Sequence, residues 1–232
     1  MFKKIIIAAI SASFVATAVF ADSTNIGVRY SSATMLASGS ETTDSGSVNN
    51  GGAKVTQKEQ NADFQLPSLF IEREIELNGG FSVAAGLDFV PLTAQVDALT
   101  DGKGADAKIK AGNLITYYLQ PSFALNESVS VFGKIGYSEG DLKISDIGHQ
   151  ATSADQQTGD AAATDASTSK TLEGPMYGVG AQYTMDGGVF SFVRLEATLT
   201  DFDEVKHTNS NGKILKAEAE MELITLTVGK SF

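Results

Sequence analysis

Cysteine and tryptophan are absent from this 232-residue chain, proline appears four times and histidine twice. Without cysteine there is no disulfide, no thiolate metal site, no thiol nucleophile and no lipid-anchored N-terminal cysteine. Basic residues are scarce as well: 17 Lys and Arg stand against 28 Asp and Glu, a formal net charge of −11. A nucleic-acid binder needs a basic stripe, so nucleic acid is excluded as a partner. Long apolar runs are missing beyond the N-terminus, and with them any membrane helix in the body of the chain. What remains is 42% hydrophobic and 19% charged, ordinary apolar content for a folded domain and too little charge for a disordered one.

The one apolar run lies at the start. Lys3 and Lys4 precede a stretch from Ile5 to Phe20, which ends in Val19-Phe20-Ala21 with compact side chains three positions and one position before a cleavage point. This pattern predicts a secretory signal peptide over residues 1–21, cleaved after Ala21, and a single domain over residues 22–232. The run is short for a membrane helix of about 20 residues, and Ser11, Ser13 and Thr17 dilute it. Without Lys3 and Lys4 the chain carries 15 basic and 28 acidic side chains, a formal charge of −13.

Period-two alternation then recurs along the chain, the signature of strands with two unlike faces. Ile26, Val28 and Tyr30 alternate with Gly27, Arg29 and Ser31. Comparable runs cover Phe81 to Phe89, Ile115 to Phe123, Val129 to Ser138, Tyr177 to Tyr183 and Val193 to Leu199. Gln65 to Leu77 and Leu223 to Phe232 complete about eight strands on the alternation template. Asn78-Gly79-Gly80, Ala124 to Glu127 and Asp186-Gly187-Gly188 read as short turns. Between them lie long polar connections at Met35–Asp63, Pro91–Ala107, Gly140–Gly174 and Asp201–Lys216. Short and long connections alternate strictly, as they do in a barrel threaded through a bilayer with short turns on one side and long loops on the other.

The two faces decide which side meets lipid. Val, Leu, Ile, Phe and Tyr fill one face; Gly, Ser, Thr, Gln and the charges fill the other. In a soluble lipocalin-like barrel the bulky face would point inward and overfill an eight-stranded lumen, whereas Gly and Ser suit a narrow interior. The strand charges are few and balanced: Arg29, Lys134 and Arg194 against Glu72, Asp88 and Glu196. Arg194-x-Glu196 puts opposite charges on one strand face. Buried charge is tolerated when paired, so these six residues are expected to form a structural network that closes the lumen.

The last residues, ITLTVGKSF, place Ile224, Leu226 and Val228 on the face that ends in Phe232, with Lys230 as the exception. Such an apolar face with a terminal aromatic resembles the assembly signal of Gram-negative outer-membrane barrels. Together with the signal peptide, the YGVGAQY strand and the VRLEATL strand, the chain resembles the small outer-membrane β-barrel family, porin-like and OmpA/OmpX-type, over essentially all of Asp22 to Phe232. The resemblance implies an all-β fold: an eight-stranded antiparallel up-and-down transmembrane barrel with short periplasmic turns and long extracellular loops. It implies location in the cell outer membrane, partners in lipid, lipopolysaccharide and the barrel-assembly machinery, and a monomer. No periplasmic peptidoglycan-binding domain is expected after the barrel. Glu218, Glu220 and Glu222 alternate with Ala217, Ala219 and Met221 and are expected above the membrane on an outer extension of the last strand.

No catalytic constellation, cofactor motif or metal site emerges. His149 and His207 both fall in predicted loops without a strand-borne serine partner. Gly178-Val179-Gly180 lacks the third glycine and the helix of a phosphate loop. Asp201-Phe202-Asp203-Glu204 begins like a calcium loop, but Val205 stands where a ligand belongs. Ala37–Gly52 and His149–Lys170 are rich in Ser, Thr, Asp, Asn or Ala and are candidate surfaces for an extracellular ligand. The sequence therefore predicts a non-enzymatic envelope protein with a structural or loop-mediated role. A narrow diffusion pore, an envelope lipid-modifying enzyme and a soluble lipocalin-like binder are the alternatives.

Overall fold

A computed structural model describes residues 22–43, 55–56, 60–91, 94–98, 106–147, 167–208 and 213–232. The predicted signal peptide and the tips of the long connections lie outside the described residues. Ten strands form one antiparallel sheet that closes on itself: β1 Asp22–Thr43, β2 Val55–Thr56, β3 Gln60–Glu76, β4 Phe81–Val90, β5 Ala94–Ala98, β6 Asp106–Ala124, β7 Val129–Ile147, β8 Ser167–Thr184, β9 Phe192–Thr208 and β10 Lys213–Ser231. β2 pairs with β1 beyond the start of β3, and β5 pairs with β6 beyond Pro91, so both continue barrel strands rather than add to them. The wall is thus eight strands, closed where β10 pairs with β1. Closure is complete to the last residue: the amides of Thr24 and Phe232 each donate to the other's carbonyl at 3.0 Å.

The register fixes the shape. Direct pairings lead from Asn25 to Glu72, Gly86, Tyr118, Gly136, Met176, Thr200 and Met221, and return to β1 at Met35, ten residues above the start. With about 3.3 Å of rise per residue and about 4.8 Å between strands, this stagger corresponds to a tilt of about 40° and a narrow lumen.

Three short connections join strands at the periplasmic end, around Asn78–Gly80, 125–128 and 185–191. Gly79, at φ 78°, occupies the left-handed conformation that the first of them requires. The connection around Asp186-Gly187-Gly188 is wider than a two-residue hairpin, and its apolar residues Val189 and Phe190 are exposed. At the other end the strands run much farther than the alternation had indicated. Met35–Thr43, Gly140–Ile147, Ser167–Gly174 and Asp201–Thr208, read as loop from their polarity, are all strand.

The reason is a reversal of polarity along each strand. In the lower part of β10 the outward residues are Ile224, Leu226 and Val228, and the inward ones Thr225, Thr227 and Gly229. In the upper part Glu218, Glu220 and Glu222 face outward while Ala219, Met221 and Leu223 face inward. The same switch occurs between Leu199 and Asp201, Pro175 and Glu173, Tyr137 and Glu139, and Tyr30 and Ser32. Below this line the wall faces lipid and above it water. Tyr30, Tyr117, Tyr137 and Tyr177 stand just below the line on the outer wall. Phe81, Phe123, Tyr183 and Phe232 stand at the periplasmic edge, the two girdles of a membrane barrel. Above the line Ala33, Met35, Leu66, Val90, Leu142, Leu172, Phe202 and Met221 form a buried apolar cluster inside the barrel.

The switch predicts how the outer wall responds to charge. Leu226→Lys, near mid-membrane, should lower unfolding free energy in lipid by about 2–4 kcal/mol, while Glu220→Lys, above the line, should change it by less than about 1 kcal/mol. Urea titrations in phospholipid vesicles, followed by tyrosine fluorescence, distinguish the two. Equal costs would place the boundary elsewhere.

Candidate functional site

The lumen is filled where the barrel crosses the hydrocarbon. Arg29 on β1, Glu72 on β3, Asp88 on β4, Lys134 on β7, and Arg194 and Glu196 on β9 all point inward, and the structure brings the six together. Arg194 grips Glu72 with both terminal nitrogens, Nη1 donating to Oε2 at 3.0 Å and Nη2 to Oε1. Lys134 Nζ donates to Glu196 Oε2. Arg29 joins the two halves. Its Nη1 lies 3.2 Å from Asp88 Oδ2 and 3.4 Å from Glu196 Oε1, and its Nη2 donates to the Tyr118 hydroxyl at 3.1 Å. That hydroxyl donates in turn to Glu72 Oε2 at 2.7 Å. Asn25 Nδ2 adds bonds to Glu72 and Glu74 at 3.0 and 3.1 Å, and Arg194 Nε donates to Gln182 Oε1 at 2.6 Å. Three positive and three negative charges are thereby joined in one set of bonds, the condition under which buried charge is tolerated.

Aromatic rings occupy the space between the cations. Arg29 lies 4.7 Å from the Phe70 ring centroid and 5.2 Å from that of Tyr118. Lys134 lies 4.6 Å from Tyr118 and 5.6 Å from Phe132, and Arg194 4.3 Å from Phe192. At these distances a cation is attracted by the ring face, more strongly where water is excluded. Each ring lies over a glycine directly across the ladder: Phe70 over Gly27, Tyr118 over Gly86, Phe132 over Gly180 and Phe192 over Gly229. At Gly86 an added Cβ would come within 2.6 Å of the Tyr118 ring, so only glycine admits it there.

Sequence reasoning identified the charges and missed their partners. Tyr118, Phe132 and Phe192 share the polar strand face with Thr116, Lys134 and Arg194 respectively. An aromatic out of phase with the apolar face was the available signal. Of the two histidines, His149 lies outside the described residues and His207 sits on β9 opposite Leu215, on a strand rather than in the predicted loop. Among the described residues no cluster of His, Asp and Glu is arranged to hold a metal ion. Ile224 and Leu226 are exposed on the lipid-facing wall, Val228 is half-buried beside them, and Phe232 is exposed at the periplasmic rim. Lys230 interrupts that face but donates to the Gly188 carbonyl at 3.1 Å, tying the last strand to the turn between β8 and β9.

A family model described as the outer membrane protein beta-barrel domain matches residues 6–219. The chain belongs to this family. It is an outer-membrane β-barrel protein, and its place is the lipid bilayer of the cell outer membrane. No curated protein is similar in sequence. Among solved structures, OprG of Pseudomonas aeruginosa is 16% identical, with 90% of this chain and 96% of that one covered at a TM-score of 0.48. The outer membrane protease OmpT of Escherichia coli is 10% identical, covering 92% and 99% at 0.45. Ail of Yersinia pestis, solved with the heparin analogue sucrose octasulfate, is 14% identical, covering 88% and 98% at 0.38.

In this outer-membrane barrel the lumen bonds predict an asymmetry between breaking and removing a pair. Glu72→Gln leaves the Arg194 guanidinium buried without its counter-charge and should cost about 3–5 kcal/mol in unfolding free energy. Replacing both members by apolar residues, Glu72→Leu with Arg194→Met, should cost less than Glu72→Gln alone. Chemical unfolding in detergent micelles measures the three proteins, and a double variant no more stable than Glu72→Gln would refute the coupling.

Proposed function

We propose that this outer-membrane protein is a non-enzymatic, closed barrel, a rigid envelope component that presents its long connections at the cell surface. The observation that carries this reading is the lumen lattice: three cations, three carboxylates and four aromatic rings joined across the barrel interior. Paired charges packed against rings leave no continuous polar path for a solute, which weighs against a diffusion pore. Among the described residues, two cavities inside the barrel measure about 30 Å³ each. That is space for a water molecule or two, far below the several hundred Å³ of a substrate site.

In this reading residues 1–21 are a cleaved export signal and residues 22–232 the mature barrel, inserted as a monomer. Ile224, Leu226, Val228 and Phe232 would be read by the barrel-assembly machinery. The outer part of the barrel stands among lipopolysaccharide, and the loop tips are available to an extracellular ligand.

Planar-bilayer recordings of the purified full chain should show no current steps above the lipid background. Discrete steps in the wild-type protein would overturn the closed reading. A separate outcome concerns insertion. Phe232→Ser should reduce the heat-modifiable, folded form in outer-membrane fractions several-fold, and unchanged yield would remove the assembly role from this residue.

A further inference from the structure

Above the charged lattice the lumen changes character twice. The first layer is hydroxylic: Ser31 and Thr225 are joined at 2.7 Å, and Thr116 and Ser138 at 2.8 Å. A cavity of about 30 Å³ lies here, with Arg29, Asp88, Lys134 and Glu196 among its walls. Arg29 Nε and Asp88 Oδ1 are both buried without a protein partner. A buried donor and acceptor that lack partners beside a water-sized polar space are the conditions under which ordered water is retained.

The second layer is the apolar cluster. Every strand of the eight-membered wall contributes to it, β6 through Leu114, so it extends around the full cross-section. A second cavity of about 30 Å³ lies within the cluster, lined by Met35, Phe64, Leu172 and Phe202 among others. Leu66, Val90, Leu114 and Met221 border both cavities and form the partition between them.

We propose that the apolar cluster is a hydrophobic septum, a second seal in series with the ion lattice, and that the hydroxyl-lined chamber between the two holds ordered water cut off from the cell exterior. The proposal rests on the closed reading of the lumen and goes beyond it by assigning the outer seal. The lattice blocks by filling the lumen with bonded charge. The septum blocks because a narrow apolar constriction sheds water, and an ion cannot enter without losing its hydration. Loss of either seal alone therefore leaves the barrel closed.

Two experiments test the assignment. In the first, conductance is recorded from wild-type protein, a lattice variant (Lys134→Ala with Glu196→Ala), a septum variant (Leu66→Ser, Leu172→Ser and Met221→Ser) and their combination. Each is first checked for heat-modifiable migration as evidence of folding. Only the combination is expected to give steps, roughly tenfold or more above the other three. Steps of equal size from the lattice variant alone would overturn the septum, and so would silence from a folded combination. Steps from the wild type would instead sink the closed reading, which keeps the two failures distinct.

The second experiment uses the natural absence of cysteine and does not need the combined variant. Ser68→Cys places a thiol in the chamber wall, and labelling by a small charged thiosulfonate from outside whole cells is timed. The thiol should be protected in the otherwise wild-type barrel and in the lattice variant, and labelled roughly tenfold faster once the septum is made polar. Equal labelling with and without the apolar septum would refute the proposal.

Discussion

Closing eight strands with a stagger of ten residues leaves a narrow lumen that inward side chains fill, and most of the remaining structure follows from that constraint. Inside such a barrel an unpaired charge has neither solvent nor counter-ion, so every charge must find its partner on another strand. Arg29 illustrates the consequence. One guanidinium serves Asp88 on β4, Glu196 on β9 and Tyr118 on β6, linking strands that are not neighbours in the sheet. The bonds therefore act across the barrel and resist its flattening, which ladder bonds between neighbouring strands do not. The rings and glycines obey the same limit. A lumen wide enough for Phe70, Tyr118, Phe132 and Phe192 only where the paired residue on the neighbouring strand is a glycine fixes each ring in one place, and the rings in turn hold the cations.

The bilayer imposes a second constraint on the same strands. Lipid requires an apolar exterior over the spanning part, and water requires an apolar interior beyond it. Because side chains alternate strictly along a strand, both demands are met by exchanging the residue types on the two faces at one level. No bend or change of register is needed at most strands. β10 continues from Leu226 to Glu220 without interruption of its pairing to β1. Among the described residues irregularity falls in two sectors: the β9–β10 ladder shifts register between Ala217 and Ala219, and Pro91 ends β4 where the neighbouring β6–β7 ladder lapses between Gly112 and Ile115, with Asn113 at a φ of 51°. The Asn113 side chain compensates by donating to Asp141 at 2.9 Å.

These two constraints explain what the sequence disclosed and what it hid. The spanning strands were legible because their apolar faces repeat with period two and are bounded by Gly-rich turns. The charged lattice was legible because charges on the polar face of a lipid-facing strand have only the lumen to occupy. The outer extensions were not, since a stretch such as Asp201–Lys206 reads as polar when its apolar members, Phe202 and Val205, are taken for interruptions. They are the inward face of a strand whose exterior is wet. Only the AEAEME run, with three Glu in perfect alternation, made an extension visible beforehand. The lumen aromatics were hidden for a related reason. Tyr117 and Tyr118 are adjacent and chemically identical, yet one belongs to the girdle and the other to the lattice, and phase alone separates them.

The exchange of faces also separates two sources of stability. In the spanning part the interior contributes bonds among charges and the exterior contributes contact with lipid. In the outer part the interior contributes apolar burial, as in a water-soluble barrel. The outer half of the wall is consequently packed from within by an interaction that does not depend on the bilayer, and the long connections rise from that packed base. A loop grafted on such a base can vary in sequence without disturbing the lattice below. The six charges and the apolar cluster lie on different levels, and the hydroxyl layer stands between them.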